Sequence, residues 1–229
     1  MPVPPDAKPK VLILGGTAEA AALAEQLVAR GDVAVVTSLA GRTTSPVLPP
    51  GEVRIGGFGG AAGLAAYIRE QGISRVIDAT HPFARRISEN AIRATAETGV
   101  PLEHLVRPGW EPVRGDRWRE VGSLEEAAQA LPAGATVFLA LGRQYLDTFL
   151  HRTDCRFVIR MVDAPAEPLP FSNHTLILGK PSADPADEAA LFARHGITHL
   201  VCRNSGGAAS YGKIVAAREM GLPVIILGR

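Results

Sequence analysis

The stretch Val11-Leu12-Ile13-Leu14-Gly15-Gly16-Thr17 constrains this chain more than any other. Four consecutive apolar residues read as a strand buried on both faces, the pattern of a parallel sheet. The two glycines then allow a sharp turn without a Cβ clash, and Thr17 is placed to cap the helix that follows. From Ala18 to Arg30 apolar residues recur at helical spacing, with Leu23, Leu27 and Val28 as the expected packing side, until Gly31 stops the helix. Strand, glycine turn and helix N-terminus form a concavity of backbone N–H groups that suits a pyrophosphate, which makes Gly15, Gly16 and Thr17 candidate cofactor ligands. The later glycines of the G-x-G-x-x-G fingerprint are absent, and a sharp βα turn that binds nothing has the same local sequence. Position favours binding, because the turn follows the first strand of a βαβ unit.

A length of 229 residues allows one α/β domain or two small ones. The net charge of +1 implies no general attraction to nucleic acid or to an anionic membrane, so local charge must select any ligand. Cys155 and Cys202 share no metal-ligand spacing and fit a reducing compartment. The proline-rich start has no apolar run of a signal peptide, and no segment has the length of a membrane span. A cytoplasmic enzyme or binding protein is therefore expected, with no metal site.

Val33 to Thr37 is the second predicted strand, and its end bears on cofactor choice. An acid there would hold the ribose diol of NAD. The sequence instead gives Ser38, then Arg42, Thr43 and Thr44, with no acid until Glu52. A guanidinium beside hydroxyls suits a 2′-phosphate, so Ser38, Arg42 and Thr43 favour NADPH over NADH; an ordinary solvent-facing arginine is the plain alternative for Arg42. A short strand, Val53 to Ile55, leads into the glycine-dense run Gly56 to Gly60, and Ala61 to Gln71 reads as a helix in which Tyr67 faces either the site or a packing boundary. The next strand, Arg75 to Asp78, runs into Ala79-Thr80-His81-Pro82-Phe83-Ala84, where a parallel sheet exposes residues to ligand. His81 titrates near neutral pH, and Phe83 has the shape to cover a planar ligand. The plain reading of His81 is a local backbone contact. Arg85 and Arg86 open a helix to about Thr98, and Leu102 to Val106 is a fifth strand.

Arg107 to Trp118 has prolines, glycines, both tryptophans and no periodicity, and reads as a crossover between two lobes, with Arg107 near a strand end. Beyond it, Ser123-Leu124-Glu125-Glu126 opens a helix to about Leu131. Strands are predicted over Thr136–Ala140, Arg156–Met161, Leu176–Leu178, His199–Cys202 and Val224–Leu227, with helices over Gln144–His151, Pro185–His195 and Ala208–Met220. The expected architecture is α/β, two Rossmann-like lobes with parallel sheets and a cleft between them, divided as 1–107 and 108–229. The turn cations Arg143, Lys180, Arg203 and Lys213 are placed to meet carboxylates, although some of the four are expected to be plain surface charges.

Five blocks now stand in order along almost the whole chain: Gly15-Gly16-Thr17-Ala18-Glu19, Asp78-Ala79-Thr80-His81-Pro82-Phe83-Ala84, Gly142-Arg143, Asn204-Ser205-Gly206-Gly207, and Lys213. In these the sequence closely resembles the precorrin-6A (precorrin-6x) reductases of cobalamin biosynthesis. The resemblance implies an NADPH-dependent oxidoreductase that reduces a ring double bond of precorrin-6A to give precorrin-6B, delivering hydride to C19 and a proton to C18. It implies an anionic tetrapyrrole against His81, Phe83, Arg85, Arg86, Arg107, Arg143, Arg203, Ser205, Gly206, Gly207 and Lys213, with transient contacts to other pathway enzymes. His81, Tyr67, Asp147 and water are the candidate proton sources, and positioning is favoured over obligatory acid chemistry for His81. A non-catalytic NADP-binding regulator or assembly protein shares the first-lobe features. A ligand-binding protein of the exported type lacks the matching leader.

Overall fold

A computed structural model describes residues 8–41 and 48–229. The chain divides into two compact units, Met1–Val106 and Arg107–Arg229.

In the first unit, strands β1 (Lys10–Leu14), β2 (Ala34–Leu39), β3 (Glu52–Ile55), β4 (Ile73–Asp78) and β5 (Leu102–His104) form one sheet in the order β3-β2-β1-β4-β5. Every neighbouring pair is parallel. Parallel strands need crossovers, and the helices α1 (Ala18–Arg30), α2 (Ala61–Glu70) and α3 (Arg85–Thr98) supply three of the four. Side chains alternate across β1: Val11 and Ile13 pack with Ala20, Ala24 and Leu27 of α1, whereas Leu12 and Leu14 pack with α2 and α3 through Leu64, Ile68, Ala91 and Ala94. That alternation buries both faces of the strand, which is why its sequence is apolar throughout. The packing side of α1 differs from the sequence expectation in one respect. Its buried stripe is Ala20, Ala24 and Leu27, while Leu23 is only partly covered and Val28 is exposed, because small alanines let the helix lie close to the sheet.

The second unit holds six parallel strands: β6 (Trp118–Val121), β7 (Thr136–Ala140), β8 (Arg156–Met161), β9 (His174–Leu178), β10 (His199–Arg203) and β11 (Val224–Leu227). Their order is β6-β11-β10-β7-β8-β9. One face carries α4 (Leu124–Gln129) and the side chains of Leu146, Phe149 and Phe171; the other carries α5 (Pro185–His195) and α6 (Gly212–Glu219) through Phe192, Ile214 and Ala217.

Three departures from the sequence reading stand out. Trp118–Val121, where no strand is expected at the end of the crossover, is an edge strand paired with β11. The predicted helix over Gln144–His151 is instead two 3-10 turns, Arg143–Tyr145 and Asp147–Phe149, that drop Leu146 and Phe149 into the core. The last helix starts at Gly212 rather than Ala208, and a Cβ at Gly212 would come within 2.7 Å of the Ser182 carbonyl, an approach that only glycine permits. The Ser123 cap is present: its hydroxyl accepts from the Glu126 N–H, and the Glu126 carboxylate accepts from the Gly122 N–H.

Candidate active site

Each sheet has one point where the strand order reverses, and ligands of open α/β sheets gather at the carboxyl ends of the strands there. In the first unit it lies between β1 and β4, so the segments leaving those strands flank it: Gly15-Gly16-Thr17 and Ala79 to Phe83. Thr17 ties the two together. Its hydroxyl donates to the Ala79 carbonyl at 2.8 Å and accepts from the Ala20 N–H at 3.1 Å, so its own hydrogen bonds serve the scaffold while the first turn of α1 presents backbone N–H groups.

The glycine pair has two different reasons. A Cβ on Gly15 would sit 2.9 Å from Thr37 Cγ2, and the Gly15 N–H donates to the Ser38 carbonyl at 2.9 Å, so close packing against β2 requires glycine there. Gly16 has φ 104°, and a methyl group on it would meet nothing within 4 Å, so it opens space in front of the helix end. An open glycine turn at a helix N-terminus and a hydroxyl at the end of β2 fit the diphosphate and ribose of a dinucleotide.

Beside this turn Asp78 is buried and organises the next loop. Its Oδ1 accepts from the Thr80 N–H at 3.1 Å and the Thr80 hydroxyl at 2.6 Å, and Oδ2 lies 3.6 Å from His104 Nδ1. The loop then presents His81, whose Nδ1 accepts from the Phe83 N–H at 3.2 Å. That bond leaves Nε2 as the proton-bearing nitrogen of the neutral ring, a donor at the strand end. Both the local-backbone role and the ligand-facing role of His81 are thus compatible with one geometry. The rings of His81 and Phe83 lie 5.8 Å apart. Arg85 and Arg86 are both exposed in the first turn of α3, which has no side-chain cap and no acidic residue there.

Among the remaining first-unit candidates, Ser38 is buried at the end of β2, and Arg42 and Thr43 lie outside the described residues. Tyr67 packs edge-on against Phe58 at 5.2 Å; burial, and then the charge of Glu52, raise its pKa, which holds it as a phenol at neutral pH. Sequence reasoning does not single out Arg54. From β3 it reaches Ser38 Oγ at 3.4 Å and the carbonyls of Gly56 and Gly57 at 2.6 and 2.7 Å, with its guanidinium 3.8 Å from the Phe58 ring centre. Its one signal in the sequence is an arginine at the end of a strand entering a glycine run.

In the second unit the order reverses between β7 and β10, and two of the motif blocks leave those strands: Gly142-Arg143 and Asn204-Ser205-Gly206-Gly207. Arg203 lies 4.8 Å from the Tyr145 ring centre, joining the two segments. Arg143 is exposed on its 3-10 turn, and Asp147 is exposed on the next. The Asn204 side chain is bonded at both ends to Trp110, its Oδ1 accepting from the Trp110 N–H at 2.7 Å and its Nδ2 donating to the Trp110 carbonyl at 2.9 Å. The Trp110 indole donates to the Gly207 carbonyl at 2.8 Å. Arg229 closes the same arrangement by donating to the carbonyls of Arg107, Pro108, Asn204 and Ser205. Gly206 is left-handed, φ 65°, and a Cβ there would meet the Pro108 carbonyl at 2.2 Å, so its glycine is explained by packing.

Lys213 is buried in the first turn of α6. Its Nζ donates to the Ser210 carbonyl at 2.5 Å and stands 4.8 Å from the Trp110 ring centre, and burial pushes its pKa down to about 8. Among the described residues no group of histidines, cysteines and acids has a metal-binding arrangement, and no helix is long and apolar enough to cross a membrane.

Comparison with known proteins adds a third kind of observation. Residues 10–229 match the family profile described as "Precorrin-6x reductase CbiJ/CobK". A precorrin-6A reductase of Sinorhizobium sp is 48% identical over 225 residues, covering 97% of this chain and 85% of that protein. The precorrin-6A reductase of Rhodobacter capsulatus is 45% identical over 221 residues, covering 96% and 88%. A solved structure titled "CobK precorrin-6A reductase" superposes with a TM-score of 0.93 at 44% identity, covering 96% of this chain and 88% of that one.

Proposed function

The chain belongs to the precorrin-6x reductase family and is an oxidoreductase that reduces precorrin-6A in cobalamin biosynthesis; from that premise we propose that NADPH is its reductant and rests on the first unit. The observation that carries the proposal is the open Gly15-Gly16 turn bonded to Ser38 at the β1/β4 reversal, a site of the right chemistry for a dinucleotide. When bound, a nicotinamide dinucleotide supplies hydride, here to C19 of the macrocycle.

The residues of the chain do the rest by placement. Backbone N–H groups at the start of α1 receive the diphosphate, and Thr17 fixes that helix end to the strand carrying His81. The cations assigned to the acetate and propionate groups of the substrate are Arg85 and Arg86 on the first unit and Arg107, Arg143, Arg203 and Lys213 on the second; Phe83 on the first and Ser205, Gly206 and Gly207 on the second are its other assigned contacts. His81 presents its Nε2 proton and acts by orienting a ring carboxylate or a water for protonation at C18, with transfer aided by proximity more than by an obligatory acid. Tyr67 is a weak alternative acid because its pKa is raised. Asp147 is the other protein alternative.

Anaerobic turnover of the isolated protein with precorrin-6A and either nucleotide tests this directly. The expected result is a product heavier by about two hydrogens, formed much faster with NADPH than with NADH. Equal rates with both nucleotides remove the NADPH assignment, and no product with either leaves a binding protein. His81→Ala should bind NADPH normally and slow single turnover by about 10–100-fold, the scale of a lost positioning group, whereas an obligatory acid predicts near-complete loss with substrate still bound. A single-turnover pH profile identical to wild type, with unchanged substrate affinity, returns His81 to its backbone contact with Phe83.

A further inference from the structure

Arg54 is built as a fixed charge at the place where a dinucleotide's adenosine end would rest. The strand register pairs it with Ser38, the last-but-one residue of β2, and its Nη1 reaches across to the Ser38 hydroxyl. Two glycine carbonyls hold the guanidinium fork, and the Phe58 ring lies under it at 3.8 Å with Tyr67 at 5.3 Å. A guanidinium so stacked and bonded has little rotamer freedom left to lose on binding. All of these partners are neutral; among the described residues no carboxylate pairs with it. The surroundings are also open on the ligand side. Methyl groups added at Gly56, Gly57, Gly59 or Gly60 would meet nothing within 4 Å.

We infer that Arg54 is a specificity-determining residue that contacts the 2′-phosphate of the cofactor's adenosine ribose, with Ser38 as its neutral partner on the adjacent strand. The inference rests on the NADPH reading and sharpens it. A structural arginine serving only the glycine turn needs the two carbonyl bonds; it does not need a full positive charge beside a strand-end hydroxyl. Phosphate recognition needs the charge, and Nε with the second Nη2 proton is the pair of donors that these bonds leave for it.

The test is calorimetric titration of the full-length protein with NADPH, NADH, adenosine 2′,5′-bisphosphate and 5′-AMP, for wild type, Arg54→Met and Arg54→Lys. Wild type should prefer the 2′-phosphorylated member of each pair. Arg54→Met should weaken NADPH and the bisphosphate at least tenfold while NADH and AMP stay within twofold, and Arg54→Lys should recover part of the loss. Equal weakening of all four ligands, or an unchanged preference, overturns the role of Arg54 and leaves the NADPH reading standing. A wild type without preference overturns the NADPH reading itself. Should Arg54→Met lose its circular-dichroism signature of folding, Arg54→Lys decides: a selective loss for the phosphorylated ligands supports the contact, and an unchanged ratio removes it.

Discussion

Lys213 illustrates how one residue's surroundings set a measurable property. Burial disfavours its ammonium form and moves the pKa from 10.5 to about 8; the nearby Cys202 and Glu188 oppose the shift, and Arg160 and Arg203 add to it. Below about pH 8 the amine is charged in both folded and unfolded chains, so the full cost of burying that charge is present. Between about 8 and 10.5 the folded chain has lost the proton while the unfolded chain keeps it, and wild-type stability gains as pH rises. The gain approaches roughly 3 kcal/mol for a shift of this size, at about 1.36 kcal/mol per unit. Chemical denaturation of wild type and Lys213→Met between pH 7 and 10.5 measures it. The difference in unfolding free energy should be flat to about pH 8 and then move in favour of wild type, and a gap independent of pH would place the amine in solvent.

At the scale of an element, α3 is assembled against its own electrostatics. Two arginines stand at the positive end of its dipole, with no side-chain cap and no acid in the first turn. An anion arriving at that end relieves the conflict. Arg85→Ala/Arg86→Ala is therefore expected to stabilise the free protein by about 0.3–1 kcal/mol per charge while weakening precorrin-6A binding about tenfold, read by thermal melts and by substrate titration. Loss of stability together with unchanged substrate affinity would make the arginines scaffold. The β1-to-α1 turn has the opposite character, since its close packing leaves no room for change. Gly15→Ala places a methyl 2.9 Å from Thr37 Cγ2, and Thr37 is buried. Such overpacking costs about 1–3 kcal/mol, and the displaced turn should bind NADPH at least tenfold more weakly. A melt and a titration both matching wild type would show that β2 yields at that point.

The whole molecule repeats one topological device. Each unit has a fully parallel sheet with helices or turns on both faces and a single reversal of strand order, β1 beside β4 in one and β7 beside β10 in the other. Four of the five motif blocks of the sequence leave the strands at those reversals, and the fifth, Lys213, lies in α6. Arg143 at the second reversal is expected to serve the substrate and not the cofactor: Arg143→Ala should raise the dissociation constant for precorrin-6A about tenfold and leave that for NADPH within twofold. Parallel titrations of both ligands check it, and a matched loss of both would end the assignment of Arg143 to the substrate.

The repeating βα alternation and the blocks that carry chemistry are legible in the order of residues alone, because both are local signals. A four-residue apolar run before two glycines has few alternatives to a buried strand and a tight turn, and the helices over Ala18–Arg30, Arg85–Thr98 and Pro185–His195 stand where the sequence predicts them. Non-local pairing lies beyond such signals. Trp118–Val121 is a strand only because β11, about a hundred residues later, offers its edge. Gln144–His151, with Leu146 and Phe149 three apart, has the local spacing of a helix face, yet it forms two 3-10 turns that put both side chains in the core. The same limit hides Arg54 and the burial of Lys213. In sequence each is a cation near glycines; only the register that sets Arg54 opposite Ser38, and the packing that buries Lys213 against Trp110, give the two charges different surroundings and different work.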